Sequence, residues 1–142
     1  MNTVKQVLDH KGHEVFSIHP DATVYDAIKK MADQNVGSLA VIDNDELIGI
    51  VTERHYARNI VLRGRASPET PVRTIMETSV IYADPEQSVE ECMAVMIDEK
   101  VRHLPVIEYG RLIGIISIGD LVQAIISHQR FTIEQLESYI HH

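Results

Sequence analysis

The apolar positions along the chain fall into two patterns that alternate and then recur. Val89, Cys92, Met93 and Met96 stand at i, i+3, i+4 and i+7, which draws one apolar face of a helix. Ser88 and Glu91 just ahead of them have the spacing of a capping box, in which a hydroxyl takes a free helix N–H while a carboxylate reaches back. Earlier, Thr23 opens the same arrangement with Val24, Ala27, Ile28 and Met31. A short apolar run follows each stripe, Leu39-Ala40-Val41-Ile42 or Leu104-Pro105-Val106-Ile107. Polar turns come next, Asp43-Asn44-Asp45-Glu46 and Glu108-Tyr109-Gly110-Arg111. Leu47–Val51 and Leu112–Ile116 return as second strands, and helices start after Thr52 and Ser117. Runs without alternation predict strands covered on both faces. The predicted order is helix, strand, helix, strand, strand, helix, twice over. Thr132-Ile133-Glu134-Gln135 adds a last capping-box spacing, and with Ile133, Leu136 and Ile140 it predicts a closing helix over 129–142.

The recurrence is a duplication. A shift of 65 residues lays Pro20–Tyr56 over Pro85–Leu121 without a gap, and 12 of the 37 pairs are identical. Upstream, Thr3–Leu8 matches Pro71–Met76 at a shift of 68, so the extra three residues sit around Gly12. The expected division is 1–70 for the first copy (core 15–62), 71–128 for the second (core 80–126) and 129–142 for the closing helix. His141 and His142 are native or the remnant of a tag.

Composition narrows the classes. A chain of 142 residues with 44% apolar and 24% charged residues is an ordinary soluble domain in size and make-up. Its apolar runs are too short to cross a bilayer and no basic-plus-apolar leader opens it, so neither membrane nor export is expected. A net charge of −8 argues against nucleic acid as partner. The single cysteine, Cys92, falls on the apolar helix side and is expected to be a buried, inert thiol. Together these readings point to the cytoplasm.

The apolar strand pair ending in Gly-Ile-Val/Ile, followed by Thr/Ser-x-x-Asp at a helix start, resembles the cystathionine-β-synthase (CBS) domain pair. The residues are Leu47-Ile48-Gly49-Ile50-Val51-Thr52-Glu53-Arg54-His55 and Leu112-Ile113-Gly114-Ile115-Ile116-Ser117-Ile118-Gly119-Asp120. The likeness runs from Thr3 to about Ile126. It implies an α/β (α+β) fold, a tandem pseudo-twofold pair of βαββα units forming one compact module. In this family the clefts between the copies hold AMP, ATP, NAD(H) or S-adenosylmethionine.

The resemblance also distributes roles. Asp120 would accept hydrogen bonds from ribose hydroxyls, as an acidic residue does in dinucleotide folds, with Ser117 beside it. Ser117-x-x-Asp120 is also an ordinary N-cap with an acid in the first turn. The base would lie against Ser17, Ile18 and His19 with Gly37, Ser38, Leu39 and Ala40, although Leu39 and Ala40 equally suit a core strand. Arg102 and His103 would face phosphate. Arg54 and Arg58, one helical turn apart, could converge on one anion or form a solvated face beside Glu53. His55 departs from the pattern, because it stands where the first copy should carry its acid. Imidazole cannot accept from two hydroxyls as a carboxylate does. The cleft bounded by Thr52, His55, Arg102 and His103 is therefore expected to be empty or to take a phosphate end, leaving one strong nucleoside site.

These readings make the chain a non-catalytic sensor whose regulatory ligand is an adenine nucleotide, with no required cofactor and an unnamed regulated protein as partner. An enzyme is the first rival, but no Gly-x-Ser-x-Gly elbow, P-loop or His-Glu-x-x-His is present. A metal at His10-x-x-His13 is the second, and it lacks further ligands at suitable spacing. A ligand-free dimeric scaffold is the third. Leu121, Val122, Ala124, Ile125 and Ile126, with Ala57, Ile60, Val61 and Leu62, exceed what one helix face needs, which predicts a homodimer interface.

Overall fold

A computed structural model describes residues 2–140. His141 and His142, the possible tag remnant, lie outside the described residues. In chain order the elements are α1 (Val4–Lys11), β1 (Ser17–Ile18), α2 (Val24–Gln34), β2 (Ser38–Asp43), β3 (Glu46–Thr52) and α3 (Glu53–Tyr56). A π-helical turn (Ala57–Val61) and a 3₁₀ turn (Val72–Thr74) follow, and then α4 (Val89–Glu99), β4 (His103–Glu108), β5 (Arg111–Ser117) and α5 (Ile118–Ile140). The mixed α/β class and the two βαββα units predicted from the patterning are both present.

The two compact units do not follow the written order of the copies. One is Val15–Val80, and the other joins the described residues up to Glu14 to those from Ile81 onward. The opening segment of each copy thus packs with the strands of the other. Val4, Val7 and Leu8 of α1 share a core with Val89, Cys92, Met96, Leu104, Val106 and Ile116. Val72 and Ile75 share the other core with Val24, Met31, Leu39, Val41 and Val51. The expected boundary near 70 cuts the chain where the duplication does, whereas the cores exchange the short leading segments.

Within the unit spanning Val15–Val80, β1 runs parallel to β2 and β2 antiparallel to β3. Asn44 and Asp45, both at positive φ, close the β2–β3 turn. In the second unit β4 pairs antiparallel with β5, with the same register shift after the fourth cross-strand pair, at Val106/Ile107 as at Val41/Ile42. The predicted leading strand of the second copy shrinks to one bridge, Ala83 with Val106, and its leading helix to the 3₁₀ turn Val72–Thr74. Both helix stripes are capped as the spacing requires: Thr23 accepts from the Asp26 N–H and Ser88 from the Glu91 N–H. Each helix ends on a left-handed residue, Asn35 or Lys100.

Two expectations are corrected. No break precedes Thr132: α5 is continuous over 23 residues, and the Thr132 hydroxyl donates to the His128 carbonyl one turn back instead of capping a new helix. The surplus of apolar helix surface is also smaller than counted. Leu121, Ala124 and Ile60 are core residues and Ile125 packs against the core, which leaves Ala57, Val61, Leu62, Val122 and Ile126 exposed.

Candidate functional site

The candidate residues divide between the two units. Ser17, Ile18, His19, Gly37, Ser38, Leu39, Ala40, Thr52, Arg54, His55 and Arg58 belong to the unit spanning Val15–Val80, and Arg102, His103, Ser117 and Asp120 to the other.

In the first group, Ser17 stands opposite Ala40 in the parallel β1–β2 pairing and Ser38 opposite Thr52. This brings Ser17, Ile18, Gly37, Ser38, Leu39 and Ala40 to one sheet region. Leu39 is fully buried and belongs to the core, so its side chain is spent on packing. The Ala40 N–H is already given to the Phe16 carbonyl, and Lys30 donates to the Ser17 carbonyl. His19 is exposed and turned to carboxylates: its Nδ1 accepts from the Asp21 N–H at 3.0 Å, and its Nε2 lies 3.4 Å from Asp43 Oδ1.

The two helix starts repeat each other atom for atom. At α3, the Thr52 N–H donates to His55 Nδ1 (3.2 Å) and the His55 N–H donates to Thr52 Oγ1 (3.2 Å). At α5, the Ser117 N–H donates to Asp120 Oδ2 (2.8 Å) and the Asp120 N–H donates to Ser117 Oγ (3.1 Å). Both are reciprocal capping boxes. Even the flanking contact repeats, with the Glu53 N–H on the Gly37 carbonyl and the Ile118 N–H on the Arg102 carbonyl. The 65-residue shift therefore places His55 and Asp120 in equivalent local settings with opposite chemistry.

Their ionisation differs accordingly. Burial holds the His55 imidazole below its ordinary value, against the opposing pull of Glu77, so His55 is neutral near pH 7 with its proton on Nε2. For Asp120, burial alone would raise the carboxyl, but hydrogen bonds from Lys11 and the Ser117 amide, with the charge of Lys11, bring it below the usual carboxylate range. Lys11 Nζ lies 2.6 Å from Asp120 Oδ2 and 2.7 Å from the Ile115 carbonyl oxygen. Sequence reasoning missed Lys11, because it is distant in the chain and lies beyond the stretch of the first copy that matches the second. Its only trace was a basic residue in the last turn of a helix.

At the His10-x-x-His13 spacing, His13 faces two oxygen acceptors, Asp9 Oδ1 at 2.8 Å and the Ile113 carbonyl at 3.0 Å, which raises its pKa and engages both ring nitrogens. Among the described residues no group of three or more His, Cys, Asp or Glu side chains is arranged to hold a metal. No helix among them is long and apolar enough to cross a membrane.

Duplicated βαββα units with matched capping boxes at the end of the second strand define a tandem α/β repeat protein. The CBS domain model matches residues 4–62 and 72–127, and the chain belongs to the CBS-domain family. It is 44% identical over 125 residues to the CBS domain-containing protein CBSX3, mitochondrial, of Arabidopsis thaliana; the match covers 84% of this chain and 61% of that protein, so the chain spans less than two thirds of its length. It is 30% identical over 118 residues to the CBS domain-containing protein YhcV of Bacillus subtilis, covering 83% and 84%. Among solved structures, a candidate signal-transduction protein with CBS domains from Burkholderia ambifaria is 48% identical, with a TM-score of 0.86 over 89% of this chain and 96% of that one.

Proposed function

We propose that the chain is a non-catalytic regulatory module that binds an adenine nucleotide of the AMP, ATP, NAD(H) or S-adenosylmethionine class through Asp120 and acts on a separate protein. The observation that carries this reading is the state of Asp120. It is ionised, half-buried and fixed at a helix start behind a strand, and among the described residues its Oδ1 accepts no hydrogen bond. A carboxylate so held has an acceptor to offer a sugar hydroxyl at little cost in reorganisation. Ser117 supports it, and Ser17, Ile18, His19, Gly37, Ser38 and Ala40 are the residues proposed to line the base, with Leu39 supplying backbone only. His55 offers a neutral ring with one N–H, a donor suited to a phosphate oxygen and unsuited to a diol. Thr52, Arg54, Arg58, Arg102 and His103 are proposed for that anionic end. The CBS family and the signal-transduction relative support the sensor class, and one buried, unpaired cysteine fits a reducing cytoplasm.

Affinity is bounded by ligand size. About 23 heavy atoms at roughly 0.3 kcal/mol each give ~7 kcal/mol, a dissociation constant near ~10 μM. A thermal-shift panel of AMP, ADP, ATP, NADH and S-adenosylmethionine, followed by calorimetry on D120A, tests the reading. At least one compound should raise Tm, and D120A should abolish that shift. Silence from the whole panel removes the sensor and leaves the second reading, a ligand-free homodimeric scaffold. That alternative is favoured by the exposed Val61, Leu62, Val122 and Ile126, which lie on α5 and the turn after α3.

A further inference from the structure

The lysine that closes α1 goes with the carboxylate and is missing from the imidazole. Lys11 and Asp120 sit in one unit, 2.6 Å apart. In the other unit His55 stands at the position equivalent to Asp120 under the shift of 65, and continuing the shift of 68 past the leading segments puts Ser79 opposite Lys11. The acid and its ammonium partner thus lie together in one unit, and the other unit has neither.

Counting donors and acceptors shows what the pair still offers. An ammonium has three N–H groups. Lys11 spends one on the Ile115 carbonyl and one on Asp120 Oδ2, which leaves a third. Oδ2 is used twice, by Lys11 and by the Ser117 N–H, while Oδ1 takes nothing among the described residues. Side chains 35% and 23% exposed keep both groups within reach of solvent. One unused donor therefore lies beside one unused acceptor. The pair is neutral overall, so it exerts no net pull on phosphate. A vicinal diol fits it, because each hydroxyl both donates and accepts.

We propose that Lys11 is a ligand-contacting residue of the Asp120 site: Asp120 Oδ1 accepts from one ribose hydroxyl while Lys11 Nζ donates to its neighbour. The inference rests on the nucleotide-binding reading above and changes its chemistry, since the diol is read by a donor and an acceptor instead of by two carboxylate oxygens. A charged donor or acceptor left without its hydroxyl partner inside an occupied site makes a missing hydroxyl costly.

The test is calorimetry of the wild type, K11M and K11R against AMP, 2′-deoxy-AMP and 3′-deoxy-AMP, with thermal unfolding to show that each variant folds. Wild type should bind AMP about tenfold or more tightly than either deoxy form. K11M should bind AMP about tenfold more weakly, and against one of the two deoxy forms its discrimination should collapse to within about twofold. K11R, which keeps donors, should retain most of that discrimination. If AMP binds the wild type and K11M preserves both discrimination ratios, Lys11 makes no ligand contact and only this inference falls. If AMP, like the rest of the nucleotide panel, fails to bind the wild type, the nucleotide reading and this inference fall together.

Discussion

The Nδ1 atom of His55 stands 3.2 Å from the backbone nitrogen of Thr52 and accepts its N–H. That bond requires an unprotonated Nδ1, and burial works in the same direction by disfavouring the imidazolium. An acid in the same position would bring a charge to the helix start; histidine brings none near pH 7.

A pH dependence follows from the sign of this shift. Above about pH 6.5, the ordinary value, His55 is neutral folded and unfolded and contributes nothing to the difference. As pH falls below that, the unfolded chain binds the proton first, because the folded value is lower. Stability is therefore full above the ordinary value and declines as pH drops toward the folded one. In urea unfolding between pH 7.5 and 5, H55N should show a flatter profile than the wild type. Parallel profiles would mean that His55 is protonated in place.

Asp120 titrates lower in the scale and in a different setting. Its folded value is below the ordinary 3.8, so its contribution is present above that value and lost as pH falls through the folded one. D120A removes the acceptor for the Ser117 N–H and leaves Lys11 with one partner fewer. Loss of a capping contact of this kind costs about 1 kcal/mol, and the surface-exposed part of the Lys11 pair adds less than about 1 kcal/mol. Denaturation at pH 7 should show D120A destabilised by about 1–2 kcal/mol, and K11M by less. A neutral D120A would show that the capping box contributes nothing to the folded state.

The duplication made most of the fold legible. Capping residues Thr23 and Ser88, the stripes behind them and the paired strands all lie where periodicity puts them, because each is decided by neighbours within a turn or a hairpin. What periodicity could not supply was which core each leading segment joins: Val4, Val7 and Leu8 carry the same apolar pattern whichever copy they pack against. The unbroken α5 escaped for a related reason, since Thr132 at a capping-box spacing satisfies its hydroxyl equally well on the His128 carbonyl. Of the candidate site, the capping contact between Ser117 and Asp120 was readable from local spacing. Lys11 was not, because the contact spans 109 residues and no repeat partner flags it.

The glycines in the middle of β3 and β5 face different obstacles. A Cβ on Gly49 would meet the Glu77 carbonyl oxygen at 2.8 Å, and Glu77 is fixed by two backbone hydrogen bonds to Ile50. A Cβ on Gly114 would meet Leu8 Cδ2 at 2.6 Å, the end of a rotatable side chain. Backbone held by a two-bond bridge yields less easily than a leucine rotamer. G49A should cost about 2–3 kcal/mol and G114A about 1–2 kcal/mol, the range for added core methyls. Chemical denaturation of both variants checks the ranking, and a larger loss for G114A would mean that Leu8 has no alternative rotamer in its core.

Cys92 is fully buried on the apolar face of α4, and desolvation, with Glu91 nearby, pushes its thiol up to about 11. The thiolate is the reactive form, so at pH 8 the native thiol is protected twice, by occlusion and by its protonation state. A disulfide reagent such as DTNB should label the native chain only at the rate of opening, and about one equivalent at once in denaturant. C92S should destabilise by about 1–3 kcal/mol, since a hydroxyl is costlier to bury among Val89, Met96 and Leu104 than a thiol. C92A should cost less, because it leaves a small void and no polar atom. Rapid labelling of the native protein would show that α4 opens around Cys92, and the core that sets the Asp120 helix start would then be looser than its packing implies.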